Sequence, residues 1–322
     1  MEKEKKNYQK LLDFILTNNT YFILLLLFII CSAASEYFLT MANLVNICQQ
    51  YAGTVIVSIG MLFVILTGGI DLSVGSVMAF GSVFTAYAMV EWKLPIILSV
   101  AVTLLLGTLC GLFTGFLVAR TKIAAFVASL AMMTICRGAA YMISHGTPIN
   151  TPAGTISQLG TAKVLPFLTW LTVIAILVVA LSSFFLNKTA YGRKVIMIGS
   201  NEEAVHLAGI PVMQHVISVY AISGFCSALG GVIATSRTGI GSGAAGQGME
   251  LDCIAACVIG GASLSGGQGS SVKTVVGVLV LAMIGNIMNL LSVPSYPQDI
   301  IKGIIIILAV LLQQGTSRIR QH

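Results

Sequence analysis

Residues 95–118 contain no charged side chain, and nearly all of them are apolar. About 20 such residues span the hydrocarbon core of a bilayer as a helix. A soluble fold would have to hide this whole segment inside a core. The rest of the chain leaves no room for that, because similar runs recur along it. They predict ten helices, at 15–35, 46–67, 71–90, 95–118, 123–143, 166–186, 214–235, 251–265, 274–291 and 299–314. Only 9% of the 322 residues are charged, against roughly 25% in soluble domains. The expectation is an all-α integral membrane protein forming one domain over residues 1–322, its surface largely given to lipid. The run at 71–90 opens on Asp71, and 251–265 is short and glycine-rich, so these two carry the helix count.

Charge placement predicts the orientation. With the N-terminus cytoplasmic, the inner segments hold Lys3, Lys5, Lys6, Lys10, Arg120, Lys122, Lys188, Arg193, Lys194, Lys273, Arg318 and Arg320. The outer segments hold Lys93, Lys163, Arg237 and Lys302. That imbalance follows the positive-inside rule and puts both termini in the cytoplasm. Trp92 and Trp170 then fall near the outer interface, where amphipathic rings settle. The basic start is too far from the apolar run 21–34 to read as a cleaved signal.

The chain has seven cysteines, all in apolar stretches. Cys253 and Cys257 are one helical turn apart, a spacing that could share a metal. Their setting reads instead as small apolar packing, and no metal site is expected. The four histidines are scattered, and no phosphate-cradling G-x-x-x-x-G-K-[ST] occurs. No catalytic cluster, bound cofactor or nucleic-acid partner is expected.

Three motifs carry the functional reading. The first is the longest inner loop, 187–213. Ser200 and Glu203 have the spacing of a capping box, Gly209 suits a left-handed stop and Pro211 blocks continuation. They predict a short helix from Ser200 through Asn201, Glu202, Glu203, Ala204 and Leu207 to Gly209, one that either docks a partner or merely links two spans. The second is Gly68-Gly69-Ile70-Asp71-Leu72-Ser73, where an acid sits beside glycines between two apolar runs. Gly68, Gly69, Asp71 and Ser73 are candidate pathway or gate residues, since an intramembrane acid is costly to keep; the alternative is that Asp71 caps the third helix. The third is Arg137, in the fifth helix, read either as lining a polar path or as snorkelling to the interface. The pattern G-G-x-x-L-S-x-G recurs at Gly68 and Gly260. Glu250 and Asp252 fit the first turn of the eighth helix, and Gly107, Gly111 and Gly115 fit close helix packing.

Taken together, LTGGIDLSVGS from Leu66, YGRKVIMIGSNEEAVHLAGI from Tyr191 and GMELDCIAACVIGGASLSGGQG from Gly248 resemble the permease subunits of carbohydrate ABC importers, the ribose-permease-like group. The likeness extends over nearly the whole chain after about residue 20. It implies a vitamin-importer-like fold in the bacterial cytoplasmic membrane, with two permease copies or a paralogous pair forming one path. It also implies an external sugar-binding protein and a separate ATPase that uses ATP and magnesium. By this resemblance the helix from Ser200 to Gly209 is the ATPase-coupling helix. The competing class is an ion-coupled sugar transporter, for which Asp71 would be the coupling acid.

Overall fold

Backbone N–H and C=O groups have no water to bond in lipid, so long apolar runs close their hydrogen bonds within helices. The computed structural model describes residues 19–305 and 307. The predicted runs appear as α1 (Asn19–Ala34), α2 (Met41–Leu66), α3 (Val74–Val90), α4 (Ile96–Thr121) and α5 (Ala125–Ile143). After a loop containing α6 (Ile156–Thr161) come α7 (Trp170–Lys188), α8 (Ala190–Ser200), α9 (Glu202–Leu207) and α10 (Val212–Thr238). Then follow α11 (Met249–Ile259) and α12 (Ser271–Leu290), with helix resuming over 295–305. Among the described residues, six helices are long and apolar enough to cross a membrane: α2, α4, α5, α7, α10 and α12. Two shorter ones, α1 and α3, are also apolar. The cations assigned to 1–18 and 308–322, and the far end of the run 299–314, lie outside the described residues.

The core is built on α10, which packs against α2, α3 and α4. The row Gly107, Gly111 and Gly115 lets the α4 backbone reach that of α10. A side chain on Gly111 would meet the carbonyl of Tyr220, and one on Gly107 would meet Ala228. This is the small-residue packing expected where lipid supplies no hydrophobic drive between helices. The opposite faces of α4 and α7 expose Leu105, Leu109, Phe113, Ile176, Leu181 and Phe184.

Small strands tie the loops at one end of the helices. β1 (Ile149–Asn150) pairs antiparallel with β4 (Ile240–Gly241), in register Ile149 with Gly241. β2 (Lys163–Leu165) and β3 (Leu168–Thr169) form a hairpin before α7, and Thr169 caps that helix by accepting from Thr172 N–H.

The region expected as one short spanning helix at 251–265 differs from that reading. Its helix, α11, ends at Ile259, and residues 260–270 form a loop. The chain before α11 does not stay at the loop end. Gly241 lies against Ser82 and Ala86 of α3, whereas Gly246 lies against Gly75 at the other end of the same helix. Eleven residues of α3 separate those rungs, about 16 Å at 1.5 Å per residue. Residues 242–248 therefore dip back among the helices, and α11 starts from the bottom of the dip.

Candidate functional site: two helix breaks and a pair of end helices

The first break joins α2 to α3. Gly68 has φ +80°, and Gly69 N–H closes onto Val64 C=O at 3.2 Å. Only glycine takes that left-handed turn without a steric cost. The break after α11 repeats the cap: Gly261 has φ +84°, and Ala262 N–H closes onto Cys257 C=O at 2.9 Å. The recurring motif is thus a shared structural device, but Gly68 corresponds to Gly261, one residue later than the sequence pattern aligns them. The two breaks also touch, since Gly267 N–H donates to Leu66 C=O at 3.0 Å.

Asp71 is 1% exposed. One carboxylate oxygen accepts from Ser73 N–H at 3.0 Å and from Ser73 Oγ at 2.5 Å. The other accepts from Ser223 Oγ of α10 at 2.7 Å. Asp71 therefore does not cap α3, whose N-cap is Ser73. It pins the break to α10. The Tyr220 hydroxyl covers Gly69, where any side chain would collide with it. Ser129 Oγ adds a bond to Ile70 C=O at 3.2 Å. Gly68, Gly69, Asp71 and Ser73 thus form one closed, hydrogen-bonded knot.

Arg137 is elsewhere and neither joins that knot nor snorkels. Its Nη1 donates to Gly243 C=O at 2.7 Å and to Ala245 C=O at 2.8 Å. A guanidinium offers five fixed donors and suits such a clamp. It holds the dipping loop 242–248 against α5. Glu250 and Asp252 begin α11 as the sequence indicates, but deep among the helices. Asp252 faces Lys302 at 3.9 Å, which removes Lys302 from an outer loop and places it in the stretch 295–305. Sequence reasoning missed the dip; the run Gly239 to Gly248, with five glycines, was its signal.

The third feature is the pair α8 and α9. Ser200 does not start the short helix as the capping box predicts. It ends α8, and its hydroxyl donates back to Ile196 C=O at 3.0 Å. The cap is Asn201, whose extended backbone turns its side-chain oxygen toward Ala204 N–H at 2.9 Å. The predicted stop holds: Gly209 has φ +75°, and Ile210 N–H reaches Val205 C=O at 3.3 Å. Val205 faces inward with Ile198 and Val212. Asn201, Glu202, Glu203 and Ala204 face out, and Leu207 is 80% exposed. α8 is anchored twice. Tyr191 shares a 2.6 Å hydrogen bond with Ser218 of α10, and Gly199 sits directly on Leu66 and Gly267. An outward-facing pair of end helices is therefore seated on both helix breaks.

A bundle of apolar helices with glycine-broken, acid-bearing segments and an external end-helix pair defines a membrane permease. The chain belongs to the family described as branched-chain amino acid transport system / permease component, which it matches over residues 43–310. It is 40% identical to the ribose import permease protein RbsC of Haemophilus influenzae, over 99% of this chain and 100% of that protein. It is also 40% identical to RbsC of Bacillus subtilis, over 89% of each chain. Against the xylose transport system permease protein XylH of Escherichia coli K12 the identity is 34%, over 87% of each chain. No solved structure matches it.

Proposed function

We propose that this chain is the membrane permease subunit of an ATP-driven importer for a pentose-type monosaccharide, resident in the bacterial cytoplasmic membrane. The observation that carries this is near-complete coverage at 40% identity by ribose import permeases. The xylose permeases match at lower identity, which favours a ribose-like substrate. On this reading ten spans put both termini in the cytoplasm, in line with the placement of basic residues along the sequence.

The working parts divide by position. An ATPase, which binds and hydrolyses ATP with magnesium, docks on the exposed face of α9 formed by Asn201, Glu202, Glu203 and Leu207. Its closure moves α8 and α9 as one body, since Asn201 joins them directly. That displacement reaches the α2–α3 break at Leu66 and the 260–270 loop at Gly267, both of which α8 touches through Gly199. A binding protein delivers the sugar at the opposite end, and a second copy of the chain or a paralogue completes the path. This chain does no covalent chemistry.

The test is purification of the tagged protein from native membranes in mild detergent, beside a variant carrying Glu202→Lys and Glu203→Lys. An ATPase that co-purifies with the native chain and is lost from the variant supports both the importer and the docking face. A native chain that imports ribose without any ATPase, and stops when Asp71→Asn is introduced, would replace this reading with ion-coupled transport.

A further inference from the structure

The dipping loop 242–248 is held at the middle of the helical layer. Gly246 rests on the Met78 sulfur. Met78 in turn reaches Gly53, halfway along the 26-residue α2. Within a bilayer, backbone that is not helical survives only where protein buries it or where it borders water. Protein does not bury all of this loop, since Ala244 and Gln247 are exposed and Leu251, one turn into α11, is 56% exposed. The face is also unlike the lipid face. The outward side chains of α4 and α7 are large and apolar, whereas the exposed positions of the loop itself are Ala244 and the Gln247 amide, with Leu251 following in α11.

The chain just after the loop is packed tightly against α3. Glu250 Oε2 is enclosed and has no hydrogen-bond partner. It lies over Gly75, where a side chain would strike both it and the Gly246 carbonyl. A carboxylate oxygen kept at this depth without a donor is costly. Arg137 directs Nη1 to the carbonyls of Gly243 and Ala245 and so fixes the loop. The result is a preorganised loop whose exposed polar side chain is the Gln247 amide, both a donor and an acceptor.

We infer that residues 242–251 line the aqueous translocation path, and that the exposed Gln247 amide hydrogen-bonds the hydroxyl groups of the passing sugar. This rests on the importer reading above. A polyol is the ligand class whose hydroxyls both donate and accept, as an amide does, and which brings no charge to desolvate at mid-membrane.

The experiment uses the full chain, reconstituted with its partners in proteoliposomes. Cys48→Ser removes the exposed native thiol. Onto that background go Gln247→Cys and, as a lipid-facing control, Leu109→Cys. The probe is a charged, membrane-impermeant methanethiosulfonate. The thiol at 247 should react at least about tenfold faster than the control, because only a hydrated thiol ionises, and ribose delivered by the binding protein should slow it. Reaction as slow as the control, or a 247–247 cross-link between two copies with no labelling, overturns the inference. In parallel, Gln247→Ala should raise the KM for ribose uptake about fivefold, the loss of one hydrogen bond, while ATPase turnover changes little. An unchanged KM removes Gln247 from contact with the sugar. Labelling is read without transport, so a native chain that takes up no ribose counts against the importer reading and leaves the lining result standing.

Discussion

The two interruptions in the helical array solve the same problem in opposite ways. At 67–73 the Asp71 carboxylate is enclosed and fully partnered, with Ser73 and Ser223 donating to it and Ser129 donating to the Ile70 carbonyl, although Gly68 is exposed. At 242–248 Arg137 and Ser82 hold the loop through the Gly243 and Ala245 carbonyls and Ser242 N–H, while Ala244 and Gln247 stay exposed. A closed break can serve as a rigid joint. An open one has to be completed by something outside the chain. Depth alone therefore does not separate structural from working polar residues; access from outside the chain does.

The sharpest way to break this contrast is Gly75→Leu. Its side chain would take the space held by the Gly246 carbonyl and Glu250, so uptake of radiolabelled ribose should fall to background while Asp71 keeps its partners. Next is Arg137→Leu, which strands two carbonyls at depth at about 1–3 kcal/mol each. Uptake should drop strongly and the thermal midpoint of the purified complex should fall, with Arg137→Lys recovering part of both.

At the closed break, Asp71→Ala leaves the Ser73 and Ser223 hydroxyls without their acceptor, a loss of about 1–3 kcal/mol. It should appear in thermal unfolding rather than in KM. Asp71→Asn retains an acceptor and should cost less. Full stability with no uptake in Asp71→Asn would make the closed break a working site and erase the distinction. The smallest effect belongs to Asn201→Ala. Losing that cap costs about 1 kcal/mol and should weaken stimulation of the ATPase by substrate, measured as phosphate release, without lowering expression.

Much of the helical frame was legible in the sequence, because spanning helices are set by apolar run length. The boundaries at 95–118 and 214–235 shift by only a few residues, to Ile96–Thr121 and Val212–Thr238. What stayed hidden depends on partners far along the chain. Asp71 could be flagged as an intramembrane acid, but Ser223 is 152 residues away and has no local signature. The capping box at Ser200 had the right spacing and the wrong residue, since a helix was already running into Ser200 and its hydroxyl was taken by Ile196. Arg137 looked like an interfacial cation because its acceptors are main-chain carbonyls, which carry no sequence mark. The dip before α11 leaves no periodic mark in the sequence for a related reason: glycine and alanine are apolar enough to enter the bilayer and too small to give a helical period.

The contact between α4 and α10 has an evolutionary consequence. Gly224 meets Gly107 and Gly111 backbone to backbone, and glycine is already the smallest residue. If one of these positions gains a side chain, no substitution at the facing position can make room for it. Pairs of larger core residues can drift together by exchanging volume, but this pair has nothing to exchange. Among descendants of this chain the three glycines should persist while the surrounding leucines and valines interchange, and divergence should be slowest along this one line of the protein.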